Sequence, residues 1–441
     1  MSNIDTDPQI IGRRVLDKGT IKTLVASLLV QGCGVITGIL TARILGPTGR
    51  GELVAIMLWP SILSNLGIMG INWALAREVA AQRDKHDDII VLSIALCLPL
   101  AFVYLCLGYF SIPYLLPQDK IFLIGITRIC LLQIPLDGIN QTLLAVDQGQ
   151  LRWNRFNLLR ALWYFPYILF IILIWSTGYD QVSLFIFALL LSHLIALITR
   201  LWLHRESLLK GRIIIGDAFL ILKSGFPYFW ATLGNLLRYH IDKILIVSLL
   251  PTTAAGIYAV ALAFSSLQVP FGEALGISSF AKLANEHNIE EQGRIISNIF
   301  KRASLVLLLL GVCLMIIAPL IIVPVFGHDF SEAIKPAIVL VIASTMIYLG
   351  DILNQGLRGI GKPYPGFISH ISGVVILVLL SLQLCPKLGL MGIVWASIFG
   401  GCSQLVIIVV LSIIILKIRP ILLWPFHLEE INYYIKLYFL K

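Results

Sequence analysis

The sequence predicts an all-α polytopic membrane protein with about twelve transmembrane helices. Two observations support this fold class. Of the 441 residues, 58% are hydrophobic and only 13% are charged, and apolar runs of membrane-spanning length recur along the whole chain. A helix satisfies its backbone polar groups within its own segment, so helices are the expected spanning form at these lengths.

Twelve stretches have the length and composition of spans, and the connections between them are too short to hold a soluble domain. The first apolar run is too long for a signal-peptide core and no A-x-A cleavage site follows it, so we expect it to remain as a span. The predicted spans are 21–43, 53–76, 89–111, 121–146, 158–177, 183–203, 229–250, 255–280, 303–326, 336–358, 367–385 and 390–416.

Lysine and arginine are distributed unevenly between the two sides of this arrangement. With the N-terminus inside and basic residues at span ends counted with the adjoining side, 24 lie at or near the cytoplasmic side, 5 lie at or near the outer side, and the other 4, Arg128, Arg160, Arg238 and Lys243, are counted within spans. Cytoplasmic loops of membrane proteins carry such an excess, so both termini are predicted to be cytoplasmic. The net charge of +9 then reflects basic loops at one membrane face and does not indicate a nucleic-acid partner.

Motifs for catalysis or metal binding are not apparent. The seven cysteines form no CxxC pair or Cys/His cluster, so neither a disulfide nor a metal site is indicated. The run from Gly356 to Lys362 has the spelling of a phosphate-binding loop, but Pro363 replaces the Ser or Thr that would hold Mg²⁺. We therefore predict no catalytic residues, no metal and no resident cofactor.

An internal repeat divides the chain into two halves. The pattern Asp-x-x-Asn-Gln begins at Asp137 in the fourth span and again at Asp351 in the tenth span, 214 residues later. We predict two six-helix bundles, 1–208 and 209–441. Six spans per half make the halves parallel repeats, and such folds place the substrate between the bundles.

The repeated pattern supplies candidates for ion coupling. Helical spacing puts Asp137 and Asn140 on one helix face, and likewise Asp351 and Asn354. One interpretation is hydrogen bonding between helices. The other is a carboxylate that binds a coupling ion, H⁺ or Na⁺, as intramembrane carboxylates often do. Glu273 in the eighth span is a further candidate under the same two interpretations.

Charged residues near the middle of 229–250 are the candidates for substrate binding. Arg238 and Asp242 lie four residues apart and could form a neutral structural pair. Lys243 remains unneutralised by such a pair, which favours the alternative, a charged wall of a transport cavity. Arg128 is a further cation within a span and is assigned to the same cavity.

A basic cluster lies between the fourth and fifth spans, at Arg152, Arg155 and Arg160. It can be read as ordinary cytoplasmic positive charge. It can also be read as a docking site for an anionic lipid head group.

Several stretches resemble a known family. They are the run ARILGPTGRGEL at 42–53, the Trp-Pro-Ser at 59–61, the end of the second span at 67–73, the segment 148–160 and Gly-Ile-Tyr at 256–258. Together they are similar to the Wzx-type polysaccharide flippases of the multidrug/oligosaccharidyl-lipid/polysaccharide (MOP) exporter superfamily, over nearly the whole chain.

The resemblance implies a fold like that of the multidrug exporters (MATE), with two six-helix bundles around a cavity that opens alternately to each side. It implies a polyprenyl-pyrophosphate-linked oligosaccharide as cargo, moved from the inner to the outer leaflet of a bacterial cytoplasmic membrane for surface polysaccharide assembly. The expected partners are this lipid-linked oligosaccharide, membrane lipids, a polysaccharide polymerase and other export machinery.

Two rival functions were weighed. A cation-coupled multidrug exporter would share the fold, and the level count of acidic and basic residues within spans does not discriminate against it. A membrane polymerase or glycosyltransferase would need a large outer catalytic loop, for which the short connections leave no room. We therefore expect a transporter and not an enzyme.

Overall fold

The computed structural model of the chain describes residues 18–68, 70–81, 86–150, 152–213, 215–284 and 286–417. These residues form sixteen α-helices and three short 3-10 helices, and no strand occurs among them. The predicted all-α class is thereby confirmed. In chain order the α-helices are α1 (Lys18–Gly67), α2 (Ile71–Ala81), α3 (His86–Leu115), α4 (Ile124–Cys130), α5 (Gln133–Gly149), α6 (Trp153–Ala161), α7 (Tyr164–Thr177), α8 (Val182–Leu203), α9 (Arg205–Lys210), α10 (Ile215–Leu249), α11 (Thr252–Ser265), α12 (Val269–Ala284), α13 (Ile289–Phe326), α14 (Ile334–Gly359), α15 (Tyr364–Leu388) and α16 (Leu390–Leu416).

Many of these helices can cross a membrane. In the described part of the chain nine helical segments are long and apolar enough, and a tenth results if the pair Gln118–Cys130 and Gln133–Gly149, bent by 41°, counts as one broken span. The 35-residue α10 is not among them. The chain is thus a multi-pass membrane protein, while the count of twelve and the cytoplasmic termini stay predictions.

The first helix is broken where two spans are predicted to meet. Gly46 has φ 64°, a left-handed conformation that glycine adopts without the steric cost of a Cβ atom. Pro47 follows and cannot donate a helical hydrogen bond. In the C-terminal part of the chain Pro251 caps the start of α11 directly after α10 ends, so a proline follows a helix break at both places.

The structure corrects the limits of several predicted spans, and the second and the seventh are two examples. The second, 53–76, is divided, because α1 ends at Gly67 and α2 begins at Ile71. The seventh, predicted from residue 229, belongs to a helix that begins at Ile215. Charged residues such as Lys223 interrupt the apolar run without ending the helix. Arg238 lies eleven residues before the end of α10, or about 16 Å at the rise of an α-helix.

The chain divides into two compact units, an N-terminal unit of residues 1–233 and a C-terminal unit of residues 234–441. The division falls within α10, whereas the bundle boundary at 208/209 precedes this helix and stays a prediction. Each unit has its own apolar core. Buried side chains of α2, α3 and α5 meet in the N-terminal unit, and those of α13, α14 and α16 meet in the C-terminal unit.

Large apolar side chains also cover outer surfaces of the helices. Ile316 and Leu320 on α13 and Ile414 on α16 are well exposed. Such exposure would be unfavourable in water but suits contact with the hydrocarbon of a bilayer.

Candidate functional site

One face of α10 is polar along a helix that is otherwise mainly apolar. The residues on it are Asn235, Arg238, Tyr239, Asp242 and Lys243, whose spacing of three and four places them on one side of the helix. Charged side chains within a predicted span need polar partners or water, and their contacts therefore identify candidate functional groups.

Arg238 contacts a carboxylate from another helix. Its Nη2 atom lies 3.4 Å from Asp351 Oδ2 on α14 and 3.1 Å from Asn235 Oδ1. The side chains of Arg238 and Asp351 are 19% and 27% exposed, so the pair is partly accessible. The predicted pairing of Arg238 with Asp242 is wrong, because tertiary packing brings Asp351 to Arg238 and Asp242 faces a different helix.

Asp242 is buried and accepts a hydrogen bond from the Tyr258 hydroxyl on α11. Its Oδ1 atom also accepts from the backbone N–H of Lys243 at 2.8 Å. The Lys243 ammonium turns back along α10, where Nζ donates to the Tyr239 carbonyl at 2.9 Å and lies 3.9 Å from the centre of its ring. Lys243 is thus a cation placed on an exposed aromatic ring.

Asp351 is the centre of a set of contacts that we call the Asp351 network, comprising Arg238, Asp351, Asn354, His370 and Gln404. Gln404 Nε2 donates to Asp351 Oδ1 at 3.1 Å. His370 Nε2 lies 3.2 Å from Asn354 Nδ2 and 3.9 Å from Asp351 Oδ1, the second distance being too long for a hydrogen bond.

The close approach of α15 to α14 keeps Asn354 in place. A Cβ atom at Gly366 would lie 1.8 Å from Asn354 Oδ1, far inside van der Waals contact. Glycine is therefore required at position 366 if Asn354 and His370 are to meet.

The corresponding carboxylate of the N-terminal unit has different partners. We call this set the Asp137 network, comprising Gln133, Asp137, Asn140, His193 and Arg200. Asp137 Oδ1 lies 3.2 Å from His193 Nε2 on α8, and Asp137 Oδ2 accepts from Gln133 Nε2 at 3.0 Å. Asn140 Nδ2 donates to the His193 carbonyl at 3.2 Å.

The other side of the Asp137 network fixes the histidine ring and the arginine. His193 Nδ1 lies 2.9 Å from the Leu189 carbonyl, and the Trp163 ring lies 4.6 Å from the imidazole, centre to centre. The buried Arg200 donates to the Asn140 carbonyl, and at 2.6 Å to the Leu159 carbonyl. Both predicted motifs thus sit in polar networks with side chains from other helices.

Sequence reasoning missed His193 and Arg200 as members of a site. Neither residue belongs to a motif in the sequence: His193 is a single histidine in the sixth predicted span, and Arg200 lies near the predicted cytoplasmic end of the same span. Their spacing with His204 was the available signal, since positions i, i+7 and i+11 lie on one face of a helix.

Residues 16–272 match the family described as "Polysaccharide biosynthesis protein". The chain belongs to this family. No curated protein sequence matches the chain significantly.

Three solved structures with the same fold are distant from this chain in sequence. A multidrug resistance MATE family transporter of the MOP superfamily in an inward-facing conformation has TM-score 0.74 and 18% identity, over 89% of this chain and 98% of that one. Lipid II flippase MurJ in an inward closed conformation has TM-score 0.72 and 16% identity, over 91% and 88%. A MOP superfamily transporter from Pyrococcus furiosus has TM-score 0.64 and 18% identity, over 91% and 94%.

These comparisons confirm the resemblance to a polysaccharide biosynthesis family and the MATE-like fold. Identities below a fifth establish the fold and leave substrate and direction of transport to further argument.

Besides the two networks, a further cluster of acidic and basic side chains lies at the end of α5. Asp147 is completely buried, with Arg155 Nε at 3.1 Å and His204 Nε2 at 3.6 Å from its Oδ1 atom. The backbone N–H of Arg152 donates to the Asp147 carbonyl at 3.1 Å, whereas Arg160 Nη2 donates to Ser27 Oγ at 2.7 Å. Docking of a lipid head group on these three arginines stays a prediction.

The two remaining candidates lie elsewhere in their units. Arg128 on α4 donates from Nε to the Tyr109 carbonyl at 3.2 Å and stacks 4.2 Å from the centre of its ring. Glu273 is exposed on α12. Its neighbour Gly272 packs closely on Tyr348, because a Cβ atom added at Gly272 would lie 3.0 Å from the Cβ atom of Tyr348. Their roles in substrate and ion binding stay predictions.

In the described part of the chain, no group of three or more His, Cys, Asp or Glu side chains could hold a metal ion.

Proposed function

We propose that this protein is a flippase that moves a polyprenyl-pyrophosphate-linked oligosaccharide from the inner to the outer leaflet of a bacterial cytoplasmic membrane. Transport would proceed by alternating access and supply surface polysaccharide assembly. Membership in the polysaccharide biosynthesis family supports the cargo class, and a fold shared with a lipid II flippase supports the mode of action.

The observation that carries the proposal is the partly exposed Arg238 on the polar face of α10. Its Nη2 atom makes both of its polar contacts, with Asn235 and Asp351, while Nε is buried. A guanidinium binds phosphate oxygens in pairs. A pyrophosphate would therefore be bound by the Nη atoms, in competition with Asp351.

Lys243 would provide the second cation for the head group. Its ammonium lies one turn of α10 beyond Arg238 and contacts Tyr239, with no carboxylate partner for Nζ among the described residues. In this proposal Asp351 holds Arg238 in position when substrate is absent. Transport is driven by an ion, H⁺ or Na⁺, bound at an intramembrane carboxylate.

Complementation of a strain that lacks its polysaccharide flippase tests the role of Arg238, with immunoblots of membranes as the measure of folding. Arg238→Lys keeps the charge and loses the two-pronged geometry, so partial export is expected. Arg238→Ala leaves Asp351 without its cation, and both export and folding should suffer.

The double variant Arg238→Ala with Asp351→Asn separates binding from structure. It removes both charges and keeps the hydrogen bond that residue 351 accepts from Gln404. If Arg238 binds the head group, the double variant should reach wild-type membrane levels and still fail to export polysaccharide. Restored export would contradict the proposal, and drug resistance conferred by the wild type without any complementation would favour a multidrug exporter.

The direction of transport depends on the predicted orientation. Tyr179→Cys and Leu209→Cys, each in a cysteine-free background, place single thiols at connections predicted to lie outside and inside. An impermeant thiol reagent should label the first and spare the second in intact cells. The reverse labelling would overturn the cytoplasmic location of the termini and with it the inner-to-outer direction.

The proposed partners follow from the same chemistry. They are the lipid-linked oligosaccharide, the surrounding lipids and the polymerase that would take up the glycan at the outer leaflet, with no nucleic acid and no catalytic step in this chain.

A further inference from the structure

His193 is held between two oxygen atoms. Nδ1 lies 2.9 Å from the Leu189 carbonyl and Nε2 lies 3.2 Å from Asp137 Oδ1. A carbonyl oxygen can only accept a hydrogen bond, so Nδ1 carries a proton. The hydrogen bond between Nε2 and Oδ1 then requires one more proton, carried either by the imidazole or by the carboxyl group.

Loss of that proton leaves one proton for the two ring nitrogens, so either Nε2 presents a lone pair to the carboxylate or Nδ1 presents one to the Leu189 carbonyl. The hydrogen bonds around His193 are therefore complete when the pair is protonated and incomplete when it is not. Histidine is the side chain whose ordinary titration falls between about pH 5 and 8. The pair thus has the two states that a coupling site needs.

We propose that Asp137 and His193 form the proton-binding site that drives transport, with His193 as a functional residue. That the proton drives transport rests on the proposed function, whereas the proton site itself is inferred from the contacts of Asp137 and His193. One proton binds between Nε2 and Oδ1, and its release removes one of the two hydrogen bonds of the His193 ring, either to Asp137 on α5 or to the Leu189 carbonyl.

The donor set around Asp137 disfavours Na⁺ as the bound ion. Hard cations take oxygen ligands. Both carboxylate oxygens of Asp137 instead face nitrogen donors, His193 Nε2 and Gln133 Nε2. A sodium ion would have to displace both contacts, whereas a proton fits between the atoms as they stand.

Other polar and charged groups surround the pair from each packed helix. Arg200 on α8 acts electrostatically on both members. Cys130 at the end of α4 lies 3.9 Å from Gln133 Oε1. The ring of Trp163, the residue before α7, lies 4.6 Å from the imidazole, and the ring of Tyr167 on α7 lies 6.1 Å from the Trp163 ring, centre to centre. The Arg50 guanidinium on α1 interacts electrostatically with Tyr167. Arg200 and Arg50 stay charged throughout the titration of histidine, so the pair titrates in a constant field of the two arginines.

Trp163 offers a direct measurement of the protonation state, because a protonated imidazole quenches the fluorescence of an indole that it contacts. The full-length protein in lipid nanodiscs is titrated from about pH 5 to 8, and the difference from a Trp163→Phe variant isolates this one tryptophan. The Trp163 emission should rise as the pair loses its proton.

His193→Gln keeps a hydrogen-bond donor toward Asp137 and removes the titration, so the pH-dependent part of the Trp163 emission should be lost. His370→Gln, a substitution of an equally buried histidine in the C-terminal unit, is the matched control and should preserve it. Size-exclusion profiles of each variant report folding.

Three results would overturn the site: a Trp163 emission that is constant with pH in the wild type, a pH response that survives in His193→Gln, or a response to Na⁺ at fixed pH that exceeds the response to pH. The measurement uses no substrate. Its failure would therefore leave the flippase proposal standing, and failure of the Arg238 complementation would leave the proton site standing.

Discussion

The Asp137 and Asp351 networks arise from the same repeated sequence pattern and differ in the partners of the carboxylate. Asp137 meets His193, a type of side chain whose ordinary titration falls between about pH 5 and 8. Asp351 meets Arg238 and Gln404, neither of which titrates in that range, and His370 Nε2 lies 3.9 Å away, beyond hydrogen-bonding distance. The repeat thus places a carboxylate in each unit, and the partner decides whether it can carry a proton or hold a permanent cation in position.

Gly366→Ala should cause the largest effect, a loss of stability, and it should disturb the Asp351 network without disturbing the Asp137 network. The added methyl would overlap Asn354 Oδ1, and overpacking of this kind costs about 1–3 kcal/mol. A lower midpoint of thermal unfolding in detergent is the expected readout. Gly125→Ala in α4, where a Cβ atom would meet nothing within 4 Å, is the control and should be neutral. Equal stability of both variants would mean that α15 does not pack tightly on Asn354.

Exchange of each carboxylate for an amide sharpens the comparison. Asp137→Asn can donate to His193 Nε2 without a shared proton, so transport should fall by about tenfold, equivalent to 1.4 kcal/mol, and lose its dependence on pH. Asp351→Asn should keep the pH dependence and weaken substrate use. The measurement is polysaccharide export between about pH 6 and 8 at equal membrane levels. If both variants export normally, the two carboxylates serve only to join helices.

Gln404→His tests whether the partner alone confers titration. The new imidazole would face Asp351, which Arg238 already neutralises, so export should change less than with Asp137→Asn and gain only a small additional pH dependence. The same export assay measures it, with Gln404→Asn as a control for lost packing. A pH response as large as that of the wild-type Asp137 network would show that the arginine is unimportant to the difference.

Lys243→Met should have the smallest effect on stability. It removes a cation from an exposed aromatic ring, a contact worth about 0.5–1 kcal/mol at such sites, and it keeps the length of the side chain. A thermal shift within error of the wild type together with weaker export would place Lys243 in substrate binding. A large loss of stability would instead assign it to the packing of α10.

Much of this arrangement could be predicted from the sequence because it depends on local properties. Apolar runs predicted the helices, the repeat located Asp137 and Asp351, and spacing along α10 placed Arg238 on a polar face. The partners depend on tertiary packing. Spacing alone allowed Arg238 to pair with Asp242, and only the position of α14 shows that Asp351 takes that role.

The same limit applies to the histidine. His193 and Arg200 lie in the sixth predicted span and Asp137 lies in the fourth, so no local pattern connects them. The helix limits were least predictable where charged residues interrupt the apolar pattern but the helix continues, as at the start of α10.

The Arg200 guanidinium donates hydrogen bonds to two main-chain carbonyls, those of Asn140 and Leu159. A main-chain carbonyl can accept a hydrogen bond whatever side chain its residue carries. In a library of all single substitutions, position 159 should accept other apolar residues freely, and position 140 should be limited only by its own amide contact with His193. Position 200 should accept almost nothing, because lysine has one nitrogen where two carbonyls from α5 and α6 must be reached. Substitutions in this unit should therefore be tolerated unequally: the residue that donates the two hydrogen bonds must stay arginine, whereas the residues whose carbonyls accept them can vary.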